Sequence, residues 1–285
     1  MRNRASPRLF AGIVLVISWW WIAWFGSGIV RDFYFFPLWT GYTLIVDAFV
    51  QFRTGTSHFQ RAGIRVAGLF ILSMPVWWAF EAINVRLQNW HYLGATSLTS
   101  LEYAIRASIA FATVIPAMFV TAEMVRSTNV NPLRRVPPLR DTNRVLVGVH
   151  IAGWLMLALM LAWPDLFFWM CWLSLFFILD PISSWLGAPA ISRFTSRGDW
   201  SPVWNLGVGG VICGFFWEMW NSRAMPKWEY SVPHVDFGYI FEMPVLGYGG
   251  YIPFALEVYA AAMIASALLG TRYLPRPRVS NQDER

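Results

Sequence analysis

The chain has 285 residues, of which 56% are hydrophobic, 18% aromatic and only 13% charged. A soluble domain carries about a quarter charged residues, so a fold solvated by water alone is excluded and part of the solvent must be lipid. The formal net charge of +6 rests almost wholly on arginine, since Lys227 is the single lysine; these charges lie in loops, a pattern of membrane sidedness that argues against nucleic-acid binding.

Runs of about 20 apolar residues can cross a bilayer, and the chain holds eight, near 9–28, 34–52, 65–84, 102–124, 145–163, 166–185, 203–221 and 244–269. The first follows Arg2, Arg4 and Arg8. It contains Trp19, Trp20 and Trp21 and lacks a small-residue cleavage site, so it reads as a retained helix and not a signal peptide. The second ends in Asp47. The third contains Pro75, closes on Phe80-Glu81-Ala82-Ile83-Asn84 and is followed by Trp90-His91-Tyr92. The fourth opens at Glu102 and contains Ile115-Pro116. A Pro- and Arg-rich linker, 129–144, precedes the fifth run. The sixth ends in Asp180, and the seventh closes on Trp217-Glu218-Met219-Trp220-Asn221. Trp228-Glu229-Tyr230 and Phe241-Glu242-Met243-Pro244 follow, then the eighth run with Pro253 and Glu257. Kinks are expected at Pro75 and Pro253. The segment Leu246-Gly247-Tyr248-Gly249-Gly250 reads as a flexible start to the last helix, not as an ion-selective filter.

The two halves carry the same polar residues in the same order. Asp47 answers Asp180, each eight residues after a tryptophan (Trp39, Trp172). Glu81 with Asn84 answers Glu218 with Asn221, Trp90-x-Tyr92 answers Trp228-x-Tyr230, Glu102 answers Glu242, and Ile115-Pro116 answers Ile252-Pro253. The expected fold is therefore an all-α, polytopic membrane bundle of about eight helices, built as two parallel four-helix repeats. The first covers 1–128 and the second 145–271, with a cytoplasmic linker at 129–144 and a cytoplasmic tail at 272–285. Four is an even number, so both repeats run the same way, related by an axis along the membrane normal. Arginines cluster at residues 2–8, 53–65, 126–144, 193–197 and 272–285, against Arg31, Arg86, Arg223 and Lys227 on the other side. Both termini are thus expected in the cytoplasm, in a plasma or inner membrane.

Ionisable residues inside membrane helices are costly and mark candidate sites. The i,i+3 spacing puts Glu81 and Asn84 on one helical face, and likewise Glu218 and Asn221. With Glu102 and Glu242 at the same depth, six polar groups are expected to converge. Glu218, Glu81, Glu242 and Glu102 are the candidate catalytic residues, and Asn84, Asn221, Trp90, Tyr92, Trp228 and Tyr230 the candidate substrate-binding ones. Structural alternatives exist: Glu102 stands four residues before Arg106, a favourable helical ion pair, and Glu242 sits near a helix N-terminus. Asp47 and Asp180 are expected to hydrogen-bond between helices, and Glu257 to pair with a tyrosine or tryptophan donor. Cys171 and Cys213 are expected as packing residues.

A carboxyl group in apolar surroundings resists ionisation and can serve as an acid, while tryptophan and tyrosine faces stabilise cations. That combination suits protonation of a carbon–carbon double bond. The four histidines show no HxxxH spacing, and there is no DDxxD pair, Walker loop or GxGxxG fingerprint, so neither metal nor cofactor is expected. The acidic helix end at Glu218, Trp228 with Tyr230, and Phe241-Glu242-Met243-Pro244 resemble the membrane lycopene-cyclase-like domains of carotenoid biosynthesis; Glu81, Trp90 with Tyr92, and Glu102 are the matching residues of the first half. That family has a P-x-E-E pattern where this chain has Glu242 ahead of Pro244 and one acid. The resemblance implies cofactor-free protonation of a polyene by a membrane carboxylate.

The favoured reading is an intramembrane acid–base enzyme of cyclase, isomerase or hydratase type, acting on a membrane lipid or isoprenoid-like substrate. The alternatives are a proton-linked transporter or channel, with Glu257, Asp47 and Asp180 as the path, and a structural subunit bound to an unidentified membrane protein.

Overall fold

Apolar stretches of about twenty residues, bounded by glycine or polar residues, form the long helices of the computed structural model, which describes residues 6–94 and 98–270. Arg2, Arg4 and the tail 272–285 lie outside the described residues. The eight long helices are α1 (Pro7–Phe25), α2 (Phe35–Thr54), α3 (Val66–Leu87), α4 (Ser100–Ser127), α5 (Asn143–Ala162), α6 (Cys171–Trp185), α7 (Ser201–Asn221) and α8 (Tyr251–Leu268). Two stretches, Ser100–Phe111 and Val114–Ser127, make up α4.

Six helices are long and apolar enough to cross a membrane: α1, α4, α5, and α3, α6 and α8 with the short turns that precede them. The protein is thus a nearly all-helical membrane protein. The other two, α2 and α7, have 20 and 21 residues and so the length to span. Their polar content explains the lower hydropathy: Thr40, Thr43 and Asp47 in α2, Asn205, Glu218 and Asn221 in α7. Both are enclosed by other helices. α2 packs between α1 and α4, and α7 against α4 and α8, so little of either has to satisfy lipid.

The periphery is the reverse. Only 11% of the apolar window of α1 and 17% of that of α5 are buried, against 78% for α4. Phe10, Ile17, Trp21 and Phe25 on α1, and Ile151, Trp154 and Leu155 on α5, are exposed, as lipid-facing side chains must be. Each peripheral helix docks on its successor, α1 on α2 and α5 on α6. Small residues permit close approach: a Cβ on Gly12 would lie 2.8 Å from the Gly41 carbonyl oxygen, and one on Gly153 would lie 2.9 Å from that of Ser174. Cys171 and Cys213 are buried free thiols.

Pro253 is the third residue of α8, as Pro116 is of the second stretch of α4. In a first turn the missing N–H has no partner within that helix to lose, and α3 stays helical through Pro75. Residues 246–250 form a 3₁₀ turn, Val245–Gly250, ahead of α8. Asp47 and Asp180 each bond between helices, as expected: Asp47 reaches Arg8 of α1, and Asp180 a short helix that follows α6. Asp47 accepts from the Phe59 amide and the Ser57 hydroxyl (2.9 and 2.8 Å) and pairs with Arg8, and Asp180 accepts from the Ile191 and Ser192 amides (2.6 and 3.0 Å). Each satisfies free amides at the start of a short helix, His58–Ala62 or Ile191–Thr195.

The fold is also not wholly helical. Trp90–Leu93 (β1) and Lys227–Tyr230 (β2) pair as an antiparallel ribbon, with Trp90 opposite Tyr230 and Tyr92 opposite Trp228. Side chains alternate across a strand, so these four rings share one face and His91, Leu93, Lys227 and Glu229 the other. A second small ribbon joins Tyr239–Ile240 to Met243–Pro244.

Candidate functional site

The β1–β2 ribbon closes one end of the helices that carry Glu81 and Glu218. It is held by two buried asparagines in the same way. Asn84 Nδ2 donates to the Trp90 carbonyl at 2.8 Å while its Oδ1 accepts from the Trp90 amide at 3.3 Å; Asn221 does the same to Trp228, at 2.7 and 2.9 Å. Neither asparagine lines the cavity beneath the ribbon. Their place is behind it, as anchors of the strands.

That cavity, of about 160 Å³, is walled by aromatic rings: Trp90, Tyr92, Trp228 and Tyr230 from the ribbon, Trp77 and Trp172 from α3 and α6, and Trp217, Tyr251 and Phe254 from α7 and α8. Its rim carries the ion pair Arg106–Asp32 (2.6 Å) and Lys227, which is bound by Glu229 and Glu242 at 2.8 and 3.0 Å.

Glu81 and Glu218 stand one layer back, outside the lining but bonded to groups within it. Glu81 Oε1 accepts from Tyr92 OH (2.6 Å), Trp77 Nε1 (2.8 Å) and Trp90 Nε1 (3.1 Å). Glu218 Oε1 accepts from Tyr251 OH (2.6 Å) and Tyr230 OH (2.8 Å), and Trp228 Nε1 donates to that Tyr230 oxygen at 2.9 Å. Glu218 is fully buried, and its Oε2 has no partner among the described residues. A buried polar atom without a partner is costly and marks a place where a proton or a ligand can be accommodated. Burial, reinforced by the adjacent carboxyl groups, pushes the Tyr92 and Tyr230 hydroxyls well above the ordinary phenol range, so both remain hydrogen-bond donors at neutral pH.

The two carboxyl environments differ at one paired position. Trp77, four residues before Glu81, supplies a donor from the same helix. The residue four before Glu218 is Gly214, and a Cβ there would lie 2.7 Å from Cγ of Tyr251. The glycine leaves room for the Tyr251 ring, which delivers the donor from α8 instead. Val114 stands at the position matching Tyr251, just before Ile115-Pro116.

Of the other candidate acids, Glu102 is exposed and forms a capping box with Thr99: its Oε2 accepts from the Thr99 amide and hydroxyl at 2.9 and 2.7 Å, and the Thr99 hydroxyl accepts from the Glu102 amide. It does not line the cavity, and the expected Glu102–Arg106 pair is replaced by Arg106–Asp32. Glu242 reaches the rim only through Lys227. Glu257 is buried and accepts a long bond, 3.3 Å, from the Phe176 amide; among the described residues its Oε2 has no partner and no tyrosine or tryptophan donor reaches it. The sequence reading missed Trp77, Trp172, Lys227 and Tyr251. Trp77 alone carried a signal, its i−4 spacing from Glu81.

Among the described residues, no group of three His, Cys, Asp or Glu side chains is placed to hold a metal ion. No protein-family model, curated protein or solved structure matches the chain.

Proposed function

We propose that the protein is an eight-span membrane enzyme of two parallel four-helix halves that rearranges a hydrophobic, isoprenoid-like substrate by proton transfer. One observation carries this reading: Glu81 and Glu218, one from each half, both bind tyrosine hydroxyls whose side chains wall a single aromatic cavity. On this reading α2 and α7 cross the membrane as enclosed helices. The ribbon end faces away from the cytoplasm and the arginine-rich end toward it.

The chemistry follows from the arrangement. When a tyrosine hydroxyl turns from Glu218 to the substrate, the neutral carboxyl group becomes the donor of that hydrogen bond and passes its proton to the tyrosine oxygen as the tyrosine gives its own to an alkene carbon. The π pair forms the new C–H bond and leaves a cation on the neighbouring carbon, faced by aromatic rings. Loss of a proton from an adjacent carbon, back through the tyrosine to the carboxylate, yields an isomer or a ring and restores both groups. Water adding to the cation gives a hydrate, and the proton that the added oxygen sheds goes by the same route to the carboxylate. No cofactor enters the balance. The resemblance to lycopene-cyclase-like domains supports a polyene as the substrate class, and the wall of rings supports a cationic intermediate.

The test is extraction of lipid that co-purifies with the protein, mass spectrometry of it, and its turnover by wild type and Glu218→Gln. The expected result is an unsaturated isoprenoid lipid, converted by wild type and untouched by a folded, membrane-inserted E218Q. Undiminished turnover by E218Q would remove that residue from the mechanism. The transport reading keeps one specific observation: α8 contributes Tyr251 and Phe254 to one cavity and Tyr259 and Met263 to another, with buried Glu257 between them. Proton flux into sealed vesicles that is lost in Glu257→Gln and kept in E218Q would favour transport.

A further inference from the structure

The second cavity lies at the opposite end of α8 from the ribbon and is larger, about 440 Å³. Its walls come from both halves of the chain. Two features of its polar part stand out. Arg61 and Arg126 both direct a guanidinium nitrogen at one and the same oxygen, Oε1 of Glu123, the second at 2.9 Å. Two positive charges thus share one carboxylate oxygen, and Glu123 is itself nearly buried (side chain 9% exposed). Asp199, also in the wall, is engaged by the amide and hydroxyl of Ser201 at 3.0 and 2.5 Å and pairs with neither arginine. Beside this cluster, His58 is only 2% exposed, and among the described residues neither its Nε2 nor Nε of Arg61 has a hydrogen-bond partner. Buried nitrogens are normally satisfied, and an acceptor-rich group in the cavity is what this set lacks.

The rest of the wall is apolar, with Phe119, Leu206, Tyr259 and Met263. A ligand matching both parts has an anionic head and a hydrocarbon tail. We propose that the cavity binds one anionic phospholipid, with its phosphate between Arg61 and Arg126 and an acyl chain along Phe119, Leu206, Tyr259 and Met263. The phosphate oxygens supply acceptors to Arg61 Nε and His58 Nε2 and a second partner to Arg126, since guanidinium–phosphate pairs are strong and directional. Arginine-rich ends of membrane proteins lie beside the leaflet richest in such lipids. The site is separate from the aromatic cavity and does not depend on the proposed chemistry there.

The experiment uses the full chain in non-ionic detergent, titrated with dioleoylphosphatidylglycerol, dioleoylphosphatidylcholine or inorganic phosphate, and read by native mass spectrometry and by apparent Tm. Phosphatidylglycerol is expected to remain bound as a single adduct and to raise Tm by roughly 5 °C at a hundredfold excess over Kd. Phosphatidylcholine and inorganic phosphate are expected to do neither. The double variant R61Q R126Q should weaken phosphatidylglycerol binding by on the order of tenfold or more. R53Q is the control: Arg53 lies outside the cavity wall and donates to the Ser127 carbonyl, so binding should be unchanged. L206W, which fills the tail region and leaves both arginines, should also block binding. Equal stabilisation by phosphatidylcholine or by phosphate alone would overturn the proposal, as would wild-type binding by R61Q R126Q or L206W.

Discussion

Gly214→Ala is expected to destabilise the protein, and the same change is expected to stabilise it once Tyr251 is valine. The added Cβ would sit 2.7 Å from Cγ of Tyr251, well inside van der Waals contact, so the ring must move. Overpacking of this kind costs about 1–3 kcal/mol. Moving the ring also pulls the Tyr251 hydroxyl from Glu218, 2.6 Å away, and a hydrogen bond lost to a buried carboxyl group adds about 1–3 kcal/mol. Alanine returns about 1 kcal/mol through its better helix propensity. The net loss is about 3 kcal/mol. In a Tyr251→Val background the clash and the hydrogen bond are both absent, and only the helix gain of about 1 kcal/mol remains. Unfolding of wild type, G214A, Y251V and the double variant in mixed micelles closes the cycle. The same sign for G214A in both backgrounds would refute the account of Gly214 as the space that admits Tyr251.

Asn221→Ala removes both bonds that hold the Trp228 backbone; stability is expected to fall by about 2–4 kcal/mol, with faster hydrogen exchange at the Trp228 amide. Thr99→Ala should cost about 0.5–2 kcal/mol of helix-cap stability and leave substrate turnover unchanged, because Glu102 caps a helix; lost turnover in a stable T99A would return Glu102 to the chemistry. The raised Tyr92 and Tyr230 hydroxyls make stability fully present below the free phenol range, near pH 10, and lost as pH rises above it, because the unfolded chain ionises first. Alkaline unfolding followed by tyrosinate absorbance should shift to higher pH in Tyr92→Phe, and no shift would remove that residue from the linkage.

Helix positions were legible because length and apolar content suffice for them. α2 and α7 could be found too, although Asp47 and Glu218 lower their hydropathy, because their neighbours are apolar runs of spanning length. The i,i+3 pairs Glu81/Asn84 and Glu218/Asn221 were readable from helical geometry, but the asparagines' partners were not. Trp90-His91-Tyr92 is too short to show a strand period, and its partner strand stands in the other half of the chain, with Tyr230 opposite Trp90 and Trp228 opposite Tyr92. The partner expected for Glu102 was missed for a different reason. Its i+4 partner Arg106 prefers Asp32, 74 residues earlier, whereas the local Thr99-x-x-Glu102 capping box was plain in the sequence. Tyr251 was out of reach, since nothing local ties a residue at the start of α8 to Glu218, 33 positions back.

The register of the β1–β2 ribbon is largely self-complementary: tryptophan meets tyrosine on either side of the His91–Glu229 pair, and exchanging the strands returns those three pairs, though not Leu93 opposite Lys227. A surface of that kind is what an isologous contact between two identical subunits requires. A single four-helix unit with such a strand could therefore pair with its own copy, giving a homodimer with two identical carboxyl sites. In this chain the two carboxyl environments are not identical, since Trp77 stands four residues before Glu81 and Gly214 four before Glu218, a difference that a symmetric homodimer could not hold.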